Sequence, residues 1–364
     1  MPNRYVFFTL CIGLLFVATG CSKQSITGDV ANATPSPAAP IMTVQSAANT
    51  TEKLKRPVFD GDLAFKSLEK QCGFGYRYLG TPGHKKCLEY LETEMKKYAD
   101  KTILQEGKYR DLPFTNVIGV FYPEGKQAPA KLPVLIVSHW DTRPVADGPN
   151  SPAAAGGFRF GEKGWNRLAP ILGANDGASG VAVILELARL LKEQRAKTGV
   201  ILVLVDGEDY GDFRGNNGEG DGVLLGSTLF AQKYKTYPEI GQPAYGILLD
   251  MIGGKNLVIP KEENSQQFAA AANEKVFGTA QALGYGEVFR FNETQSVEDD
   301  HIPLNRAGIP TIDLIHPLPY GDYALRGYFF WHTQSDVPSK CSAKSLKIVG
   351  ETVAETLYRE TAEQ

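Results

Sequence analysis

Residues 172–180, LGANDGASG, set a lone acid, Asp176, in a glycine-rich turn that feeds an apolar helix over 181–193. Behind the turn, Val181, Ile184, Leu185, Ala188 and Leu191 recur at helical spacing, so one face of that helix is buried. A carboxylate at the head of a helix gains from the dipole and from the free N–H groups of the first turn. On that ground alone Asp176 reads as an N-cap. Its company along the chain argues for more, because histidines and acids stand at the ends of apolar runs on both sides of it.

Upstream, residues 132–138 (LPVLIVS) form a continuous apolar run ending in His139-Trp140-Asp141, which suits a strand buried on both faces. Downstream, residues 198–205 (TGVILVLV) end in Asp206-Gly207-Glu208-Asp209, residues 245–249 (YGILL) end at Asp250, and residues 309–315 (IPTIDLI) form a fourth such run. Residues 116–121 (NVIGVF) read as a further strand. Helices are expected over 59–71, 86–98, from Ser227 onward, over 268–283 and over 345–357, with a turn at Gly80-Thr81-Pro82-Gly83-His84. Strands alternating with helices predict an α/β three-layer sandwich, a central mixed and largely parallel sheet flanked by helices. Ligands of such sheets collect beyond the carboxyl ends of the strands, which is where His139, Glu208, Asp209 and Asp250 fall.

The 364 residues carry 43% hydrophobic side chains and a net charge of -3, which suits one large domain with appendages. No basic footprint for nucleic acid or for a membrane surface is evident. At the N-terminus, Arg4 precedes an apolar run over 5–18 and then Ala18-Thr19-Gly20-Cys21. A charged start, a short apolar stretch and a small-residue cleavage site describe a secretory signal. The cysteine directly after them resembles a bacterial lipoprotein signal, in which Cys21 becomes the lipidated first residue. Residues 22–54, rich in Ala, Ser, Thr and Pro without periodicity, read as a flexible tether. The expected organisation is therefore a signal over 1–21, a tether over 22–54 and one catalytic domain over 55–364. The expected location is the cell envelope, periplasmic or outer-surface side, with membrane contact only through the lipid. In an exported chain Cys72 and Cys87 form either a disulfide or two buried thiols, a choice the sequence leaves open.

The polar residues at strand ends and loops make a set: His139, Asp176, Glu208, Asp209, Asp250, Asp299, Asp300, His301 and His332, with three of the chain's five histidines. Imidazole and carboxylate without cysteine suit zinc with an open position for substrate. A single histidine at a strand end is more often structural. Three, each with flanking acids, are harder to dismiss.

His139-x-Asp141, Asn175-Asp176-x-x-Ser179-Gly180, Gly207-Glu208-Asp209, Asp250-Met251-Ile252-Gly253, Asp300-His301 and His332-Thr333-x-x-Asp336 together resemble the zinc-dependent M28-type aminopeptidase and glutaminyl cyclase superfamily. They run in that order from about residue 70 onward. Trp331 before the last histidine, with Asp299-Asp300-His301 and Asn305, makes the chain most similar to the bacterial glutaminyl-peptide cyclotransferases. The resemblance implies a phosphorylase/hydrolase-like sandwich with one zinc ion held by Asp176, Asp209 and His332. It also implies Glu208 as general acid and base, Asp250 and Asp299 as an acidic network around it, and a substrate pocket walled by Trp331, Phe329 and Phe330. The implied reaction closes an N-terminal glutamine of a peptide or protein to pyroglutamate with release of ammonia.

The alternative in the same superfamily is a dinuclear-zinc aminopeptidase, with Asp176 as bridge and His139 and Asp250 holding a second metal. A non-catalytic binding protein on the same fold is the third possibility. Asp300-His301 is expected to be a structural hydrogen-bonded pair, His84 and His316 structural or surface residues, and Arg143 a loop-fixing ion pair. The loop over 211–222, with Asp212, Glu219 and Asp221, reads as a flank of the active site, since its spacing fits no calcium loop. Gly173-x-x-x-Gly177 lacks the Lys-Ser/Thr of a phosphate loop.

Overall fold

The computed structural model describes residues 55–149, 151, 169–213, 221–319 and 330–361. The signal segment with Cys21, the tether, Glu219 and Phe329 lie outside them. Among the described residues the strands are β1 (Lys101–Tyr109), β2 (Leu112–Phe121), β3 (Val134–His139), β4 (Val200–Val205), β5 (Tyr245–Asp250), β6 (Ile259–Glu262), β7 (Phe289–Gln295) and β8 (Thr311–Ile315). Six of them make one sheet in the order β1-β2-β4-β3-β5-β8. β1 and β2 are an antiparallel pair, and β2 joins β4 antiparallel; from β4 through β3 and β5 to β8 the sheet is parallel. This is the expected mixed, largely parallel sheet. β6 and β7 form a separate small parallel pair.

The helices are α1 (Gly61–Cys72), α2 (Pro82–Tyr98), α3 (Ala178–Glu193), α4 (Leu225–Lys233), α5 (Glu263–Ala282), α6 (His301–Arg306) and α7 (Ala343–Arg359). Successive residues of a strand face opposite sides, and β3 shows where each side goes. Val134 and Ile136 join one core with Leu191, Val276, Val349 and other residues of α1, α2, α3, α5 and α7. Leu135 and Val137 join a second core with Phe230 of α4 and Leu304 of α6. Two cores on two faces of one sheet make the three-layer sandwich. They also explain why β3, β4 and β5 carry apolar runs up to their polar ends instead of alternating.

α3 runs buried beneath the sheet, and its packing depends on Gly180. A Cβ there would stand 2.3 Å from both the Leu249 carbonyl oxygen and Ser138 Oγ. The helix begins at Ala178, earlier than the apolar pattern alone indicates, and its cap is Gly177 at φ 96 with no side-chain cap bond. Asp176 is therefore not an N-cap, and its carboxylate is turned elsewhere. α2 also begins early: Thr81 accepts from the His84 N–H, and Pro82 occupies the first turn. The expected turn at 80–84 is thus the helix start, built from a capping threonine and a proline with the right φ. Cys72, Cys87 and Cys341 are buried free thiols, so the disulfide alternative does not hold.

Candidate functional site

β3, β4 and β5 end side by side and deliver His139, the segment Asp206–Asp209, and Asp250 to one edge of the sheet. The turn before α3 adds Asp176, and the segment before α7 adds His332. Two groups of three donors result, Asp176–Asp209–His332 and His139–Asp176–Asp250, each with its donor atoms within 4.8 Å of one another. His332 Nε2 is 3.4 Å from Asp176 Oδ2 and 3.2 Å from Asp209 Oδ1. His139 Nε2 is 3.2 Å from Asp176 Oδ1 and donates to Asp250 Oδ1 at 3.1 Å. Around tetrahedral zinc, with bonds of about 2.0–2.1 Å, neighbouring donors stand about 3.3 Å apart. The histidine–carboxylate distances of both groups are close to that spacing. In the first, Asp176 Oδ2 and Asp209 Oδ2 are buried with no hydrogen bond, as atoms reserved for a cation would be.

Each donor-bearing turn is pinned by a carboxylate or guanidinium from another part of the chain. Asp336 accepts from the Asn175 and Asp176 N–H groups at 2.8 and 3.1 Å. Asp141 accepts from the Glu208 and Asp209 N–H groups at 3.0 and 3.2 Å. Arg77, fully buried, donates to the carbonyls of Trp140, Leu172 and Gly173 at 3.2, 2.9 and 2.8 Å and ties the end of β3 to the Asp176 turn. Arg143 binds Asp147 through two nitrogens at 2.8 and 2.7 Å and the Asp209 carbonyl at 2.9 Å. Asp147 in turn lies 3.3 Å from His332 Nδ1. The loop-fixing role expected of Arg143 is what it does. Met251, after Asp250, and His332 both hold φ near +50, a left-handed backbone that side chains disfavour.

Burial and neighbouring acids set the proton affinities. Glu208 is pushed well above the usual carboxylate range by burial, then by Asp209, Asp299 and Asp300, against a lowering influence from His139. Burial, then the charges of Asp250 and Asp300, lifts Asp299 in the same direction. For His332 burial favours the neutral ring, but the Asp209 and Asp147 carboxylates outweigh it and raise the ring to about 10. A bound metal would take the place of that proton.

Above the donors lies a cavity of about 320 Å³, at the small end for a ligand pocket. Asp176, Glu208, Asp209, Asp250, Asp299, Trp331 and His332 all line it, as do Met251, Val297, Ile315 and Leu318. Trp331 stacks on the His332 ring with centroids 4.0 Å apart. Phe330 is not among the lining residues; its carbonyl accepts from the Thr333 N–H and hydroxyl and turns the chain. Phe213, from the segment after β4, lines the cavity instead, and no sequence pattern marked it.

Asp300 and His301 do not pair with each other. Asp300 accepts from Ser227 Oγ at 2.5 Å, and His301 Nε2 lies 3.2 Å from the Glu262 carboxylate. Both are buried beside the cavity floor, where each fastens a different helix. His84 is buried, bonded to Asp206 at 3.0 Å and stacked on Trp140; His316 Nδ1 accepts from the Val258 N–H. Asp221 accepts from Tyr109 Oη and Arg110 at 2.6 and 2.9 Å, which commits it to the β1–β2 hairpin and not to a cation.

Comparison with known proteins agrees with this geometry. The model of peptidase family M28 matches residues 116–357. The chain is 26% identical over 294 residues to the glutaminyl-peptide cyclotransferase of Gloydius blomhoffii, across 71% of each protein. The structure of Bacteroides thetaiotaomicron glutaminyl cyclase bound to N-acetylhistamine superposes with a TM-score of 0.72 at 36% identity, over 84% of this chain and 100% of that one. A leucine aminopeptidase precursor from the same organism superposes with a TM-score of 0.70 at 35% identity, over 85% of this chain and 100% of that one.

Proposed function

The chain belongs to peptidase family M28, and on that premise we propose that it is a glutaminyl-peptide cyclotransferase using a single zinc ion held by Asp176, Asp209 and His332. The observation that carries this reading is the inequality of the two donor groups. In the second, His139 and Asp250 already satisfy each other through a 3.1 Å hydrogen bond. In the first, two buried carboxylate oxygens stand unbonded and the histidine is backed by Asp147. Trp331, stacked on that histidine and lining the cavity, supports the same reading.

Zinc bound there supplies Lewis-acid polarisation of the substrate's γ-carboxamide. The chain's own contribution is proton transfer and positioning. Glu208, buried at the cavity and raised in proton affinity, takes a proton from the attacking α-amine and delivers it to the departing ammonia. Asp209, Asp299 and Asp300 raise Glu208 further and keep its acid form accessible, and Asp250 acts in the same direction on Asp299. The nucleophile belongs to the substrate, so a small pocket holding amine and carboxamide together provides most of the entropic advantage.

A dinuclear aminopeptidase is the second reading. The His139–Asp176–Asp250 group has metal-ligand spacing, and the likeness to an aminopeptidase precursor is nearly as high. Mass spectrometry of a Gln-Xaa peptide incubated with the zinc-loaded protein, with Glu208→Gln beside it, separates the two. Loss of one ammonia, absent in the variant, is the expected result. Release of free glutamine would make the chain a peptidase and require zinc at His139 and Asp250. Neither product, with zinc bound, would leave a binding protein. The proposal includes export to the bacterial cell envelope with a lipid at Cys21, so Cys21→Ser is expected to move the protein from the membrane to the soluble fraction.

A further inference from the structure

The loop between β7 and α6 carries three residues of the cavity lining before Asp299: Ser296, Val297 and Glu298. It is clamped at Val297 and at Gln295, the strand residue from which it leaves. Val297 donates its N–H to Glu262 Oε1 at 3.2 Å, and its carbonyl accepts from Asn264 Nδ2 at 3.1 Å. Its side chain packs with Met251 and Ile315. Gln295 donates to the Ile315 carbonyl at 3.3 Å and accepts from the Leu318 N–H at 3.4 Å. Glu262 is itself immobilised, because it caps α5 by accepting from Ser265 N and Oγ at 2.6 and 2.8 Å.

Glu298 therefore sits between two buried residues, Val297 and Asp299, at a backbone position the fold fixes. Its own side chain is exposed, lines the cavity and has no ion-pair partner among the described residues. Among the described residues that line the cavity, the basic side chains are Arg143 and His332, both buried and both facing carboxylates, against eight acids. A metal at the floor offsets charge at the floor. It leaves the mouth negative.

Resting on the reading of this pocket as a site for peptide N-termini, we infer that Glu298 is a specificity residue that reads the charge of the side chain following the N-terminal glutamine. A lysine or arginine there is favoured and an acidic residue rejected. The half-buried rings of Phe213 and Trp331, which line the same cavity, offer an apolar wall for the aliphatic stem of such a cation.

The test is the kcat/KM of three peptides, Gln-Lys-Ala, Gln-Ala-Ala and Gln-Glu-Ala amides, with the zinc-loaded full chain and with Glu298→Lys. The expected preference for lysine over glutamate is about fivefold at low salt, carried in KM, as exposed charge pairs allow. It should reverse in Glu298→Lys and shrink in about 0.5 M salt, where screening is short-ranged. Glu124→Lys, exposed at the opposite end of the parallel strands, makes the same change in net charge and should keep the wild-type ranking. A wild-type ratio within about twofold of unity, or a ranking unchanged in Glu298→Lys, overturns the inference. Product masses are read separately: ammonia loss or glutamine release decides the chemistry without touching the charge ranking. No product from any of the peptides overturns both.

Discussion

Two groups of three donors share Asp176, have the same spacing and lie on the same sheet edge, yet they are built differently. Asp176–Asp209–His332 opens on the cavity, keeps two carboxylate oxygens unbonded, and has its histidine and its Asp209 tied through Asp147 and Arg143. In His139–Asp176–Asp250 the imidazole bonds Asp250 directly, and its Nδ1 makes no hydrogen bond. Asp141, 3.5 Å from that nitrogen, has both oxygens engaged by the Glu208 and Asp209 backbone. The single-zinc proposal therefore rests on surroundings and not on ligand identity: on the outer partner that fixes one imidazole and on acceptors left without a donor.

The sharpest attack on that contrast is to remove one histidine from each group. His332→Ala is expected to lower zinc affinity by more than about 100-fold and abolish turnover, whereas His139→Ala keeps one zinc per chain, read by metal analysis after dialysis. Equal losses from both variants, with two zinc ions in the wild type, would break the contrast. Glu208→Gln comes next: kcat is expected to fall by about 10³ with zinc content unchanged, since it removes proton transfer and no ligand. Asp147→Asn sharpens the comparison further, because it weakens the support behind His332, and with it the Arg143 pair that steadies Asp209, while leaving every donor in place. Zinc affinity should drop by about 10–100-fold while the fold persists, measured by competition with a chelator. The smallest effect serves as a control. Thr81→Ala removes a helix cap remote in sequence from both groups and should cost about 1 kcal/mol in denaturant unfolding without changing zinc affinity. A matching affinity loss there would mean that the Asp147 variant acts through global stability.

How much of this was legible beforehand follows the physics of each part. The doubly buried strands β3, β4, β5 and β8 declare themselves because helices cover both faces and most of their residues are apolar. β1 escapes notice because it is the sheet's edge, with polar KTILQEGKY mostly half-exposed and only Gln105 buried. β6 and the short α6 are too brief for periodicity to show, and β7 (FRFNETQ) is largely polar with only Phe289 buried. The chemistry-bearing residues at strand ends are visible as a set, and the structure gathers Asp176, Glu208, Asp209, Asp250, Asp299, Trp331 and His332 around one cavity. Their supports are not visible. Arg77, Asp147 and Glu262 act on segments tens to hundreds of residues away, and nothing local in the sequence marks a carboxylate that accepts from a distant backbone. At Asp176 a local cue competes with the set: the helix start alone suggests a cap, the strand-end company suggests a donor, and Gly177 supplies the turn while the carboxylate faces His139 and His332. The Asp300-His301 dipeptide likewise looked like a partnership, but adjacent residues at the start of a helix point in different directions and find different partners.

The left-handed backbone at Met251 and His332 has a consequence for how such a chain can change over generations. Glycine at Met251 would relieve a conformational cost of about 1 kcal/mol, yet it would remove a side chain that packs with Val297 and Ile315 and would slacken the peptide next to Asp250. Glycine at His332 would relieve the same tension and delete a donor. Selection for heat resistance and selection for turnover therefore pull these two positions in opposite directions, and thermostable relatives must find their gains elsewhere in the sandwich.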